Sequence, residues 1–319
     1  MQRGRKYPGR TLSSLAAVLL LLAACAGRQP EKKEPRLFYA DHVLAEDTVW
    51  SGEVEIEGVL LVGRKATLRI RPGTRVRFRK TDRDNDGIGD GEIRVLGRLL
   101  AEGTPGLPIL FESAAAKPQP RDWSYLLLFA SGKKSVIDHC RFRHAFSGVQ
   151  VHFSTATISN SLFEANNEGI RFGRARLAIT NNLLENNDVA IRFTRMEGPV
   201  QITANEIRAN RRGIFLVPSG QNIQDFFEPD RSGRPWNTGR LLITGNNIHT
   251  NTDYNLSLGA KQLWDLDVSG NWWGSSEPRL IQEKIFDKTV DPELGRAIFL
   301  PFAAKPFPGA GITDRAGSR

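Results

Sequence analysis

Between Asp82 and Asp90 the chain reads Asp-Arg-Asp-Asn-Asp-Gly-Ile-Gly-Asp, with carboxylates at alternate positions and a glycine at the sixth. Such spacing lets Asp82, Asp84 and Asp86, the carbonyl of Ile88, and Asp90 turn oxygens toward one centre, as a hard cation with all-oxygen coordination requires. Calcium in a structural role is the expectation, because clustered carboxylates otherwise repel one another. The plainer alternative is an acidic loop between two turns of the chain. A second group, His139, Cys140, His144 and His152, contains the ligand types of a transition-metal site. Its three histidines fall at different points of the repeat described below, so they are expected to face different ways.

Arg171 and Arg192 stand 21 residues apart, with Gln150 another 21 before them, and no acidic residue shares that series. They suit an anionic sugar, or else form a solvated face. The stretch 218–239 carries Phe226, Phe227, Glu228, Asp230, Arg231, Arg234 and Trp236. A loop of that length needs packing or binding to offset its entropy. Rings beside carboxylates and arginines are what a carbohydrate groove uses, although the same rings could seal the loop onto the flank of the fold. No catalytic residue is assigned. A glycoside hydrolase needs carboxylates about 5 to 10 Å apart, and a lyase needs a proton-abstracting base beside a neutralising cation. Asn251-Thr252-Asp253 resembles one piece of the polygalacturonase signature, but the paired aspartates, Gly-His-Gly and Arg-x-Lys that accompany it there are missing.

A repeat must position all of these residues. Ile137, Ile158, Ile179, Ile202 and Ile243 follow one another at 21, 21, 23 and 41 residues, the last step holding two turns' worth of chain with the 218–239 insertion. Phe142, Phe163, Leu184, Ile207 and Ile248 keep the same steps, as do Val149, Ile170, Ile191, Ile214 and Leu256. Two residues further on come Val151, Phe172, Phe193, Leu216 and Leu258, so apolar and polar positions alternate as in a half-buried strand. Between strands stand Cys140, Ser161, Asn182, Asn205 and Asn246, and then Asn166, Asn187, Asn210 and Asn251. A unit this short cannot close a core alone, whereas stacked copies bury every inward column. Asparagine suits the bends because it tolerates left-handed backbone and can bond the next turn. Gly148, Gly169 and Gly213 recur before the third strand, where positive φ is expected. Arg143, Glu164, Glu185, Arg208 and His249 share a column in which opposite charges meet.

Ala66-Thr67-Leu68-Arg69-Ile70-Arg71-Pro72-Gly73-Thr74 and Ile93-Arg94-Val95-Leu96-Gly97-Arg98-Leu99-Leu100-Ala101-Glu102-Gly103-Thr104 resemble opening coils of bacterial right-handed β-helix repeat proteins of the pectin-lyase-like superfamily. Asn271-Trp272-Trp273-Gly274, with Ile285-Phe286-Asp287-Lys288 and Leu294-Gly295, resembles the way such proteins end. The resemblance covers roughly Val43 to Phe302. It implies an all-β, right-handed parallel β-helix forming a single elongated domain over residues 37–305, with a disordered tail over 306–319. It is nearly silent on substrate, since this fold hosts lyases, hydrolases, binders and stalks. Some relatives are associated with copper handling, which keeps the histidine group open. The 82–92 loop resembles dockerin-type or thrombospondin-type calcium loops more than an EF-hand, because its twelfth position is Ile93 and Glu92 lies one short. Trp272 and Trp273 are expected to close the terminal coil.

The N-terminus carries Arg3, Arg5, Lys6 and Arg10 and then an apolar run from Leu15 to Ala24, the layout of a secretory signal over residues 1–24. Leu22-Ala23-Ala24-Cys25 resembles a bacterial lipobox, which implies lipidation of Cys25 and a tether over 25–36. With Ala26 rather than aspartate next, the resemblance points to the outer membrane. Loss of the four leader cations leaves 40 Lys and Arg against 35 Asp and Glu, a balance that does not suit nucleic acid. Cys140 is then the one other cysteine. The reading is a lipid-anchored envelope protein that binds or organises polysaccharide without cleaving it. The alternatives are an enzyme acting on acidic glycans and a metal-handling periplasmic protein.

Overall fold

The computed structural model describes residues 1, 4, 36–193, 198–217, 241–259 and 262–312. The apolar columns expected from the 21-residue step lie directly over one another. Ile137 pairs in register with Ile158, that with Ile179, then Ile202 and Ile243, and all five are at most 2% exposed. The alternation of buried and outward residues within each strand makes one face of every strand apolar, and parallel pairing to the next coil is what buries it.

Each complete coil contributes three strands. The first face is an eight-stranded parallel sheet running from Thr48–Trp50 through Ser135–Asp138, Thr155–Ser159 and Arg176–Thr180 to Leu241–Thr244. The second face includes Ile109–Ser113, Cys140–Arg143, Leu162–Glu164, Leu183–Glu185, Glu206–Arg208 and Asn247–His249. The third includes Glu92–Val95, Trp123–Phe129, Ala145–His152, Glu168–Gly173, Val189–Phe193, Arg212–Leu216 and Tyr254–Leu258. Parallel strands joined coil to coil in this order form a right-handed parallel β-helix. Leu37–Leu44 lies in parallel on Glu53–Val62 and covers one end. At the other end a short helix, Pro278–Gln282, leads into Ile285–Phe286, which pairs with Tyr254–Leu258.

Two asparagine ladders run up the corners. In the first, the backbone N–H and Nδ2 of Asn182 both donate to Oδ1 of Asn205, those of Asn205 to Asn246, and those of Asn246 to Asn271. Each Nδ2 also reaches back to a carbonyl one coil earlier, as Asn205 does to Ile179. The second ladder passes from Asn166 through Asn187 and Asn210 to Asn251, and Asn255 ends it. Ladder asparagines are not themselves left-handed, contrary to expectation. The residue before each one is: Asn181, Ala204 and Gly245 at the first corner, and Ala165, Asn186, Ala209 and Thr250 at the second, all have positive φ. That residue turns the chain, which leaves the asparagine extended enough to bond both neighbouring coils.

The glycine expectation is also corrected. Gly148, Gly169 and Gly213 are absent from the positive-φ residues. What excludes a side chain is proximity, since a Cβ on Gly169 would lie 2.6 Å from the Ala190 carbonyl and one on Gly213 would lie 2.4 Å from that of Asn255. Inside the coils the rings stack at the strand spacing. Phe111 and Phe142 are 4.5 Å apart, Phe142 and Phe163 4.9 Å, and Phe172 and Phe193 5.0 Å, all nearly coplanar. Residues 306–312, expected in a disordered tail, dock instead. Phe307 exchanges hydrogen bonds with the Asn247 side chain, and Gly311 N–H donates to the Ala204 carbonyl.

Candidate functional site

Three places hold the chemistry anticipated from the sequence. The first is the loop between Arg75–Phe78 and Glu92–Val95, where carboxylate oxygens of Asp82, Asp84 and Asp86 lie within 4.8 Å of one another. Asn85 and Gly87 take positive φ and wrap the chain around them. Asp90 does not join this group, because its carboxylate accepts the Arg83 backbone N–H at 3.0 Å and holds the base of the loop. Ile88 donates its N–H to Asp86 at 2.7 Å. Glu92 is buried and paired with Arg94 at 2.6 Å, and Ile93 is in the core, so neither supplies a twelfth-position ligand.

Among the described residues no other group of three or more His, Cys, Asp or Glu side chains converges, so the histidine and cysteine set is not brought together. His139 and His144 are left-handed corner residues, and His139 bonds Asp138 at 2.7 Å. Cys140 is 1% exposed in the first ladder column, where burial pushes its thiol far above the ordinary range. His152 is 4% exposed at the end of a third-face strand. Burial, seconded by the charge of Arg171 and opposed by a hydrogen bond with the Gly173 backbone, lowers it to about 4. The unfolded chain therefore takes up this proton first as pH falls. The stability contributed by neutral His152 is intact above about pH 6.5 and drains away toward pH 4. A loss of about 2 kcal/mol between pH 7 and 4.5 is expected from this one group. Urea midpoints of wild type and His152→Gln at both pH values check it, and equal losses in the two proteins would contradict it.

The third place is the outward side of the third face. Gln150, Arg171, Arg192 and Phe215 stack in register there. The arginines are not without acidic company, as the single-column reading had it. Glu168, whose side chain is 2% exposed, stands in the adjacent column, forms an ion pair with Arg192 and lies 4.0 Å from Arg171. Strand alternation hid it, since Glu168 lies three residues before Arg171 and period two would put the two on opposite sides. Three rungs earlier the same two columns hold Glu92 and Arg94, with Tyr125 and Ser147 between the carboxylates. Burial and the neighbouring Glu92 raise the Tyr125 hydroxyl above its ordinary value. At about 4.8 Å per rung, the two Glu–Arg pairs are roughly 14 Å apart along the axis.

On the second face the expected pairs form: Arg143 with Glu164, and Arg208 with Glu185 at 2.8 Å. His249 turns sideways to Glu206, Nε2 to Oε1 at 2.6 Å. Cys25, the signal and most of the tether lie outside the described residues, as do Phe226, Phe227, Glu228, Asp230, Arg231, Arg234 and Trp236. Their stretch leaves after Val217 at the end of a third-face strand and returns at Leu241 on the first face.

Residues 121–227 match a family model described as a right handed beta helix region. No curated protein and no solved structure matches the chain. The family match and the long parallel sheets together make this a right-handed β-helix protein.

Proposed function

We propose that the protein is a lipid-anchored component of a bacterial cell envelope that binds an acidic polysaccharide lengthwise on its third face and does not cleave it. The observation that carries this reading is the outward column that holds Arg94, then Arg171 three rungs on and Arg192 one rung further. A polymer with repeated carboxylates meets repeated guanidinium groups, each able to make a bidentate contact. The non-enzymatic part rests on the carboxylates beside them. Glu92 and Glu168 are both buried and engaged with arginines, which suits orienting those cations rather than exchanging protons with a sugar. The sequence of Phe226, Phe227, Glu228, Asp230, Arg234 and Trp236 adds aromatic and charged residues of the types that bind sugars to the same reading. Anchoring at Cys25 in the outer membrane is supported by the lipobox-like leader alone.

Incubating the full-length protein with polygalacturonate and assaying both bound polymer and new reducing or unsaturated ends tests the proposal. Binding without product is expected, and release of product would replace it with the lyase or hydrolase reading.

A calcium ion held by Asp82, Asp84 and Asp86 belongs to the same proposal, in a structural role. The three clustered carboxylates and the turn at Gly87 fit a hard cation, which would supply charge neutralisation between two coils. Chelator is expected to lower the melting temperature by roughly 5 °C. The Asp84→Asn, Asp86→Asn double variant should melt near the chelated value and ignore chelator. An unchanged melting temperature in wild type would remove the ion from the account.

A further inference from the structure

Beyond Arg192 the outward column of the third face changes character. It continues in register as Phe215, Ser257 and Phe286, while the column beside it runs Glu168, Val189, Arg212 and Tyr254. Ile214 and Leu216 on either side of Phe215, and Ile285 before Phe286, fill the core, so strand alternation turns both phenylalanines outward. The Tyr254 ring meets that of Phe286 edge-on with 5.3 Å between centroids, which places it on the same side. All three rings are half-buried and keep part of their surface in solvent. At about 4.8 Å per rung, Phe286 stands roughly 14 Å past Arg192, with only the small side chain of Ser257 between it and Phe215. The column is therefore cationic at Arg171 and Arg192 and aromatic for the next three rungs.

These two stretches favour different parts of a glycan. Guanidinium groups at Arg171 and Arg192 suit carboxylates. Over Phe215, Tyr254 and Phe286 a carboxylate gives up hydration to ring surface that returns no hydrogen bond, whereas the C–H face of an uncharged sugar ring packs on such rings favourably. The neighbouring cations are already placed. Arg212 lies with its guanidinium 4.7 Å from the Phe215 centroid and its Nε 3.8 Å from Asp253, and Lys284 Nζ is held at the corner by the carbonyls of Asn251, Thr252 and Asp253. What continues the arginine column is a sugar-stacking platform, contiguous with it along one line of the same sheet.

We propose that the third face selects a mixed glycan, with uronate residues over Arg171 and Arg192 and uncharged sugar residues over Phe215, Tyr254 and Phe286, in preference to a polymer charged at every residue. The inference rests on the arginine-face reading and specifies its substrate class. Full-length protein in a detergent without a sugar headgroup is titrated with polygalacturonate and with the same polymer after partial reduction of its carboxylates to primary alcohols. Wild type should bind the partly reduced polymer about threefold tighter or more. Phe215→Leu with Tyr254→Leu, which keeps apolar bulk and removes two rings, should abolish that preference. The preference is a ratio taken within one protein, so a general loss of stability does not move it. Arg171→Glu with Arg192→Glu should weaken binding of both polymers. Equal or tighter binding of the fully charged polymer by wild type, or a preference that survives in the leucine variant, would overturn the inference and leave the arginine-face reading standing. Absence of binding of either polymer by wild type would overturn both.

Discussion

Replacing Asn205 by alanine is expected to destabilise the protein by about 3 to 5 kcal/mol. Asn205 is fully buried, and its Oδ1 accepts both the backbone N–H and the Nδ2 of Asn182 at 3.0 Å. Its own Nδ2 serves the carbonyls of Ile179 and Thr203 and the Oδ1 of Asn246. Alanine removes all five contacts and orphans the buried Asn182 backbone N–H, while Asn182 Nδ2 keeps the Ile158 carbonyl and Asn246 Oδ1 keeps the backbone N–H of residue 205. Each orphaned buried group costs on the order of 1 to 3 kcal/mol, which is more than a satisfied hydrogen bond contributes on its own. Gln201, on the same coil but exposed, is the control, and its alanine variant should shift stability by less than about 0.5 kcal/mol. Urea unfolding followed by far-UV circular dichroism reads both. A loss below about 1 kcal/mol at Asn205 would mean that the ladder is incidental to stability.

Phe163→Ala should cost a similar amount, about 3 to 5 kcal/mol, for a different reason. The ring is fully buried and stacks on Phe142 with 4.9 Å between centroids and an interplanar angle of 3°. The column continues above it as Leu184, and a coil fixed by ladders on both corners has little freedom to collapse into the space left behind. Phe163→Leu copies the next rung of the column and should cost no more than about 1.5 kcal/mol. The difference between the two variants in one denaturation series separates the loss of packed volume from the loss of ring stacking. Equal costs would show that the site adapts to volume and that stacking dominates.

The inward columns were legible in the sequence because a strand has period two and a coil of constant perimeter repeats at a constant step. Ile137, Ile158 and Ile179 obey both, and their register follows. The coil step was harder to follow where loops interrupt it. Trp123–Phe129 is a full third-face strand, but the chain between it and Ile109–Ser113 hid its place in the series. A column read in isolation also misleads about charge, because Glu168 lies beside Arg171 and Arg192 in the neighbouring column and reaches across. The glycines show a further limit. The recurrence of glycine signals that a side chain is excluded, but only the fold distinguishes a positive φ from the approach of the Ala190 carbonyl. The contact of Trp272 with His249 from a different coil and the docking of Phe307 on Asn247 were not legible at all, because both are long-range.

The claim on which the functional account rests is that the third-face arginines hold an anionic polymer. Its most direct measurement is a binding titration of polygalacturonate against full-length wild type and the Arg171→Glu, Arg192→Glu variant at low and high salt. The account predicts saturable binding by wild type that weakens as salt screens the charges, and a loss of about tenfold or more in the variant. Equal affinity in the two proteins, or wild-type binding indifferent to salt, would contradict it.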